Sequence, residues 1–206
     1  MSRSTACRLF FSTLFAAGFL TGCAGHSPLK PFFSAGSLPP AAIPVANLEP
    51  PPPHKPASYW EGEGATGAPQ IVVNLGEQRG FFYRGKKVVG VTRVSSGKKG
   101  FSTPPGSYRV IQKHKDHVST LYGDFVGEEG AVVKSNVDSS KDRPPEGAKF
   151  RGAKMPYFLR FHAGYGLHAG RVPSYPASHG CVRLPAEMAR HFFANAEMGT
   201  PVRVEE

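Results

Sequence analysis

Cysteine is scarce in this chain, acids are outnumbered, and no apolar run is long. Only Cys7, Cys23 and Cys181 occur in 206 residues, a length that fits one ordinary domain with some to spare. The longest apolar stretch, residues 9–20, is interrupted by Ser12 and Thr13. It is too short for a comfortable membrane span, which takes ~20 residues. Fifteen Asp and Glu against 25 Lys and Arg leave a net charge of +10. A basic face suits nucleic acid, anionic lipid or an anionic polymer; added solubility is the plain alternative. No aromatic-basic recognition motif points to nucleic acid, and no internal repeat is evident, so neither a nucleic-acid partner nor a repeat array is expected.

What is present begins with an address. Arg3 and Arg8 precede the short apolar run, with no acid among residues 1–8. A basic front, an apolar core and small residues make an export signal, which sets nucleic acid further aside. Leu20-Thr21-Gly22-Cys23 resembles a bacterial lipobox, in which the signal (residues 1–22) is cut before a cysteine that carries lipid. A buried or disulfide-bonded Cys23 is the alternative. Ala24 rather than Asp after it implies, by the same resemblance, an outer membrane facing the periplasm if the cell has one. Cys7 would then leave with the signal, and Cys181 would be a lone thiol in an oxidising compartment. Such a thiol suggests a chemical role; a small buried apolar residue is the bland reading. Residues 27–57 are rich in proline and end near Pro50-Pro51-Pro52-Pro53. They read as a semi-extended tether of ~3 Å per residue. Residues 61–68 are glycine-rich and read as further linker, so the tether is expected over residues 23–68 and the folded domain over 69–206.

Within that domain Ile71, Val72, Val73 and Leu75 read as a strand, and Phe81, Phe82, Tyr83 and Arg84 as its hairpin partner. Residues 88–95 are β-branched, and residues 108–111 follow the rigid turn Thr103-Pro104-Pro105-Gly106. Residues 114–154 are polar, charged and broken by glycine, and predict a long loop, either a substrate-shaping lid or an irregular insertion. Residues 155–161 and 164–170 read as two more strands. Pro185 suits a first helical turn, Ala189, Phe192, Phe193 and Ala196 form an apolar helical face, and Gly199 ends it. Val202 and Val204 read as a last strand. The short, evenly spaced strands predict a mainly β domain of sandwich or barrel type.

The chemistry concentrates in Ser178-His179-Gly180-Cys181-Val182-Arg183, with His168 thirteen residues before the cysteine. This stretch offers a thiol, imidazoles, a glycine that lets backbone N–H groups be exposed, and a guanidinium, most of what acyl transfer requires. A helix directly after Cys181 would set free N–H groups and a positive dipole end beside the sulfur. That would lower its pKa and stabilise an oxyanion.

This stretch, preceded by Gly166-Leu167-His168-Ala169-Gly170, resembles the catalytic domain of the L,D-transpeptidase (YkuD-like) family. Thr103-Pro104-Pro105-Gly106, Met155-Pro156-Tyr157-Phe158 and Gly199-Thr200-Pro201-Val202 add to the resemblance. It implies a mainly β sandwich of two mixed sheets with one short helix after the active-site loop. It also implies peptidoglycan stem peptides as substrates and no cofactor or metal. The stem would be held as a thioester and passed to an amine, either that of a neighbouring stem or the lysine of an outer-membrane lipoprotein. By the same resemblance Cys181 is the nucleophile and His168 the general base, oriented by the Ala169 carbonyl. The N–H groups of Gly180 and Cys181 form the oxyanion hole, and Arg183 braces the loop or meets a stem carboxylate. Ser178 and His179 are loop or substrate contacts. Only nine residues separate His168 from Ser178; His162, with fifteen, fits a longer spacing seen in other members. Three rival readings stand: a zinc set of His162, His168, His179 and Cys181; water as acceptor, giving a carboxypeptidase or amidase; and a tether that binds the wall without reacting.

Overall fold

A computed structural model describes residues 44, 47–50 and 57–206. The expected signal, Cys23 and most of the expected tether lie outside the described residues. Residues 57–206 form two mixed sheets and one helix, the mainly β architecture anticipated above.

The first sheet takes β1 (Tyr59–Trp60), β2 (Pro69–Asn74), β3 (Arg79–Arg84), β4 (Lys87–Arg93), β5 (Gly106–Arg109) and β11 (Pro201–Glu205). They lie in the order β1-β4-β3-β2-β11-β5, with only the β2–β11 pair parallel. The second sheet takes β6 (Gln112–Val126), β7 (Val132–Asp138), β8 (Lys149–His162), β9 (Tyr165–Ala169) and β10 (Val182–Leu184). Their order is β10-β9-β8-β6-β7, with β9 and β10 parallel.

The near-continuous apolar runs of β2, β3 and β4 follow from burial on both faces. Ile71, Val73, Phe82 and Val89 point into the main core with Leu159, Leu167, Val182, Leu184, Phe192 and Val202. Val72, Phe81, Tyr83, Val88 and Val91 face the other way and are covered by Leu48 and Tyr59. Helix α1 (Ala186–Asn195) buries Met188, Ala189 and Phe192 on that core.

Four expectations need correction. Order begins before residue 69: Tyr59 and Trp60 pair with Val91 and Gly90. The Trp60 ring lies where a Gly90 Cβ would be, 2.6 Å from it, and stacks on His191. Glycine at 90 is what lets this edge strand seat its indole. The stretch 59–68 is therefore part of the domain rather than tether. Residues 114–154 are not a loop: β6 and β8 pair from Gln112↔Arg160 to Val126↔Lys149, with one irregularity between Val118 and Gly123. Cys181 does not abut the helix, because β10 and Pro185 intervene, with Pro185 as the extended residue preceding α1. Nor does Gly199 end α1; the helix stops at Asn195, and Gly199, at φ 84°, turns the chain into β11.

Candidate active site

The loop carrying Cys181 is tied down on every side. Ala177 and Ser178 both donate backbone N–H groups to the Ser96 carbonyl at 3.0 Å, and Lys98 N–H donates to Ser178 at 3.0 Å. Arg183 exchanges two backbone bonds with Ser95, each 3.0 Å, fixing the start of β10. The Ser178 hydroxyl donates to the Cys181 carbonyl and accepts the Gly180 N–H at 3.0 Å. The Thr103 hydroxyl accepts the Gly97 N–H at 3.0 Å and donates to the Gly180 carbonyl at 2.7 Å. Gly180 sits at φ 113°, and a Cβ there would come within 2.6 Å of the Tyr165 ring. Both facts demand glycine.

The register of β9 and β10 then places the chemistry. Arg183 lies opposite His168, and Val182 opposite Leu167. Continuing one pair back sets Cys181 abreast of Gly166, whose N–H faces the sulfur. Residues two apart on a strand share a face. Arg183 and His168 therefore project from the same face of adjacent parallel strands, and Cys181, the residue before β10, lines the same groove.

His168 is only 6 % exposed. Its Nδ1 lies 2.8 Å from the Ala169 carbonyl, so that nitrogen holds the proton and Nε2 is left as acceptor. Burial, aided by the charges of Arg183 and His117, pulls its pKa down from 6.5 to about 4, although the Ala169 bond works the other way. Burial also pushes the Cys181 thiol up, opposed by the Gly166 N–H and the guanidinium groups of Arg160 and Arg183. The lowered thiol pKa expected from a helix N-terminus is thus corrected. Without the helix end, desolvation outweighs the positive neighbours. At neutral pH the pair rests as thiol and neutral imidazole.

Cys181, His168, Ala169, Ser178, His179 and Arg183 line one groove of about 730 Å³, with a wall from β6 to β8 that includes His117, Tyr122 and Arg160. His179 lies flat against Tyr122, ring centres 4.4 Å apart, and edge-on to Phe101 at 4.7 Å. Burial, Lys98 and Arg183 pull its pKa below the ordinary value, while Asp138 opposes them. Arg183 is half-buried and lines the groove.

Other expectations place differently. The Gly180 N–H, expected to face an oxyanion, is used by Ser178 Oγ; among the described residues nothing accepts from the Cys181 N–H. His162 is exposed and packs on Tyr108, ring centres 5.0 Å apart, outside the groove. The four residues weighed as a zinc set are therefore not brought together, and the described residues hold no cluster of metal-binding side chains. Cys23 lies outside the described residues. Thr103, Ser95, Tyr165 and Arg160 were not singled out from sequence. Thr103 alone had a signal there, as the first residue of the Thr-Pro-Pro-Gly turn.

The profile of the L,D-transpeptidase catalytic domain (YkuD) matches residues 68–204. Solved structures share the fold. An L,D-transpeptidase from Stackebrandtia nassauensis is 23% identical with a TM-score of 0.50, over 69% of this chain and 57% of that one. One from Mycobacterium smegmatis is 19% identical with a TM-score of 0.51, over 68% and 59%. One from Mycobacterium tuberculosis H37Rv is 21% identical with a TM-score of 0.51, over 68% and 58%. The chain thus spans less than two thirds of these proteins. No curated protein matches it significantly.

Proposed function

Because the chain belongs to the L,D-transpeptidase catalytic domain family, we propose that it transfers peptidoglycan stem peptides through a thioester on Cys181. One observation carries this reading: a thiol and an imidazole whose free nitrogen is an acceptor line one groove.

The steps use this chain's own atoms. The Cys181 sulfur adds to the carbonyl of the stem's third residue while its proton passes to Nε2 of His168. The oxygen gathers negative charge and is met by the Cys181 N–H; such a donor contributes ~3 kcal/mol to the transition state. His168 returns the proton to the departing amine, the carbon–nitrogen bond breaks, and the thioester remains. An acceptor amine then attacks, gives a proton through His168, and restores the thiol. With a neighbouring stem as acceptor the product is a cross-link between third residues; a lipoprotein lysine would give an anchored protein. Ser178 holds the loop, Ala169 fixes the imidazole, and His179 meets substrate as part of the groove wall.

The enzyme works in the cell envelope, carried on a lipidated Cys23 after loss of residues 1–22, at an outer membrane facing the periplasm where the cell has one. Cys23→Ser should move the protein from the membrane to the soluble fraction; unchanged fractionation would reject the anchor. For the chemistry, the chain is incubated with muropeptides bearing tetrapeptide stems. Cross-linked dimers are expected. Tripeptide product without dimers would assign water as acceptor, and no change at all would reject acyl transfer.

A further inference from the structure

A second cavity, of about 260 Å³, opens at the end of the β3–β4 pair and shares no lining residue with the groove of Cys181. Arg79 and Arg93 line it with Glu77, Gln78, Pro173 and Ser174. The two arginines are direct partners across the antiparallel pair, so like charges stand opposite each other, which costs stability. Neither forms an ion pair with a carboxylate among the described residues, although Glu77 lines the same cavity. Arg79 is half-buried over the Phe81 ring, and its Nε is buried with no hydrogen-bond partner among the described residues. A desolvated N–H on a cation is costly when unmet. The wall beside it is rigid and strained. Gln78 takes a left-handed φ of 52°, a strain that gathers at ligand sites. Its side chain donates to the Leu75 carbonyl at 2.6 Å and to Ser96 Oγ at 2.8 Å, and accepts the Ser96 N–H at 3.0 Å. Pro173 and Ser174 belong to the connection between His168 and Cys181, and the next residue, Tyr175, accepts the Ser95 hydroxyl at 2.8 Å.

We infer that this cavity is an oxyanion site that takes a phosphate group between Arg79 and Arg93. Guanidinium forks bind carboxylate and phosphate alike. A carboxylate offers two oxygens, whereas two forks on facing strands suit the three outer oxygens of a phosphate. A phosphate group also carries between one and two negative charges near neutral pH, which answers both cations at once. The site is built partly from the connection that leads to the nucleophile, but it does not depend on the acyl-transfer reading.

The test titrates inorganic phosphate into the full chain at low salt, read by calorimetry, with acetate as the comparison ligand. Phosphate should bind at one site per chain, and acetate at least about tenfold more weakly, the scale of one charge-assisted hydrogen bond. Arg93→Gln should weaken phosphate binding by about tenfold or more, and Arg79→Gln likewise. Arg93 is exposed, so its replacement leaves the core intact and decides the matter even if Arg79→Gln does not fold. Arg183→Gln, which removes a cation from the groove instead, should leave phosphate binding unchanged. Methyl phosphate separates the two sources: affinity equal to that of inorganic phosphate assigns an esterified group, and a much weaker affinity assigns the free ion, with the site standing in both cases. No phosphate binding, binding untouched by Arg93→Gln, or acetate bound as tightly as phosphate overturns the inference and leaves acyl transfer standing.

Discussion

At His168 one hydrogen bond decides the chemistry. Because Nδ1 faces the Ala169 carbonyl at 2.8 Å, the other nitrogen must accept. A carbonyl does this work where a carboxylate often does. It orients the ring without adding a negative charge that would raise the imidazole's pKa, and burial leaves that pKa at about 4. Two outcomes follow. His168→Ala should slow acylation by about 10² or more, the usual worth of a positioned base, while His162→Ala should stay within about twofold. The reverse ranking would move the base to His162. Alkylation of Cys181 by iodoacetamide, followed against pH, tests the neutral resting pair. A thiol raised above its ordinary value gives a rate that climbs as pH rises through and beyond the normal thiol range. A plateau already reached near pH 6, the signature of a preformed thiolate, would contradict the account.

At the scale of elements, the site depends on loops stitched to strands. Thr103 joins the Thr-Pro-Pro-Gly turn to the cysteine loop by bonding both Gly97 and Gly180. Thr103→Val keeps the shape but leaves a buried donor and acceptor unmet, a loss of about 1–3 kcal/mol. It should lower both the urea midpoint and the acylation rate; an unchanged midpoint would show the pair to be dispensable. The elements that packing dictates could be read from sequence. Ile71, Val73, Phe82 and Phe192 announce their strands and helix because they are buried. Residues 155–161 of β8 read as a strand, but β6 and residues 149–154 of β8 could not be read, since much of their length faces solvent and holds through mutual pairing instead. Alternation of apolar and polar residues is a signal of a one-sided core, and these strands have little core to face. The residues of the site were legible as types: Cys181, His168, Ser178, His179 and Arg183 do meet in one groove. Of their bonding only the Ala169 carbonyl against His168 was legible. That Ser178 claims the Gly180 N–H depends on backbone geometry that no motif spells out.

At the scale of the whole molecule, charge and topology agree on what reaches the thiol. The net +10 of the sequence is expressed in the groove as four cations against one committed acid. The parallel β9–β10 pair carries His168 and follows directly on Cys181, and the extended β6 to β8 strands wall the groove that both residues line. The fold thus makes a groove, lined by more cations than acids, with Cys181 in its lining. The most direct test is intact-mass analysis of the full chain after brief exposure to a tetrapeptide stem, followed by peptide mapping. The account predicts a mass gain equal to the stem less the free amino acid released from its end, located on Cys181 and absent from Cys181→Ala. No gain, or the same gain on the alanine variant, would contradict it.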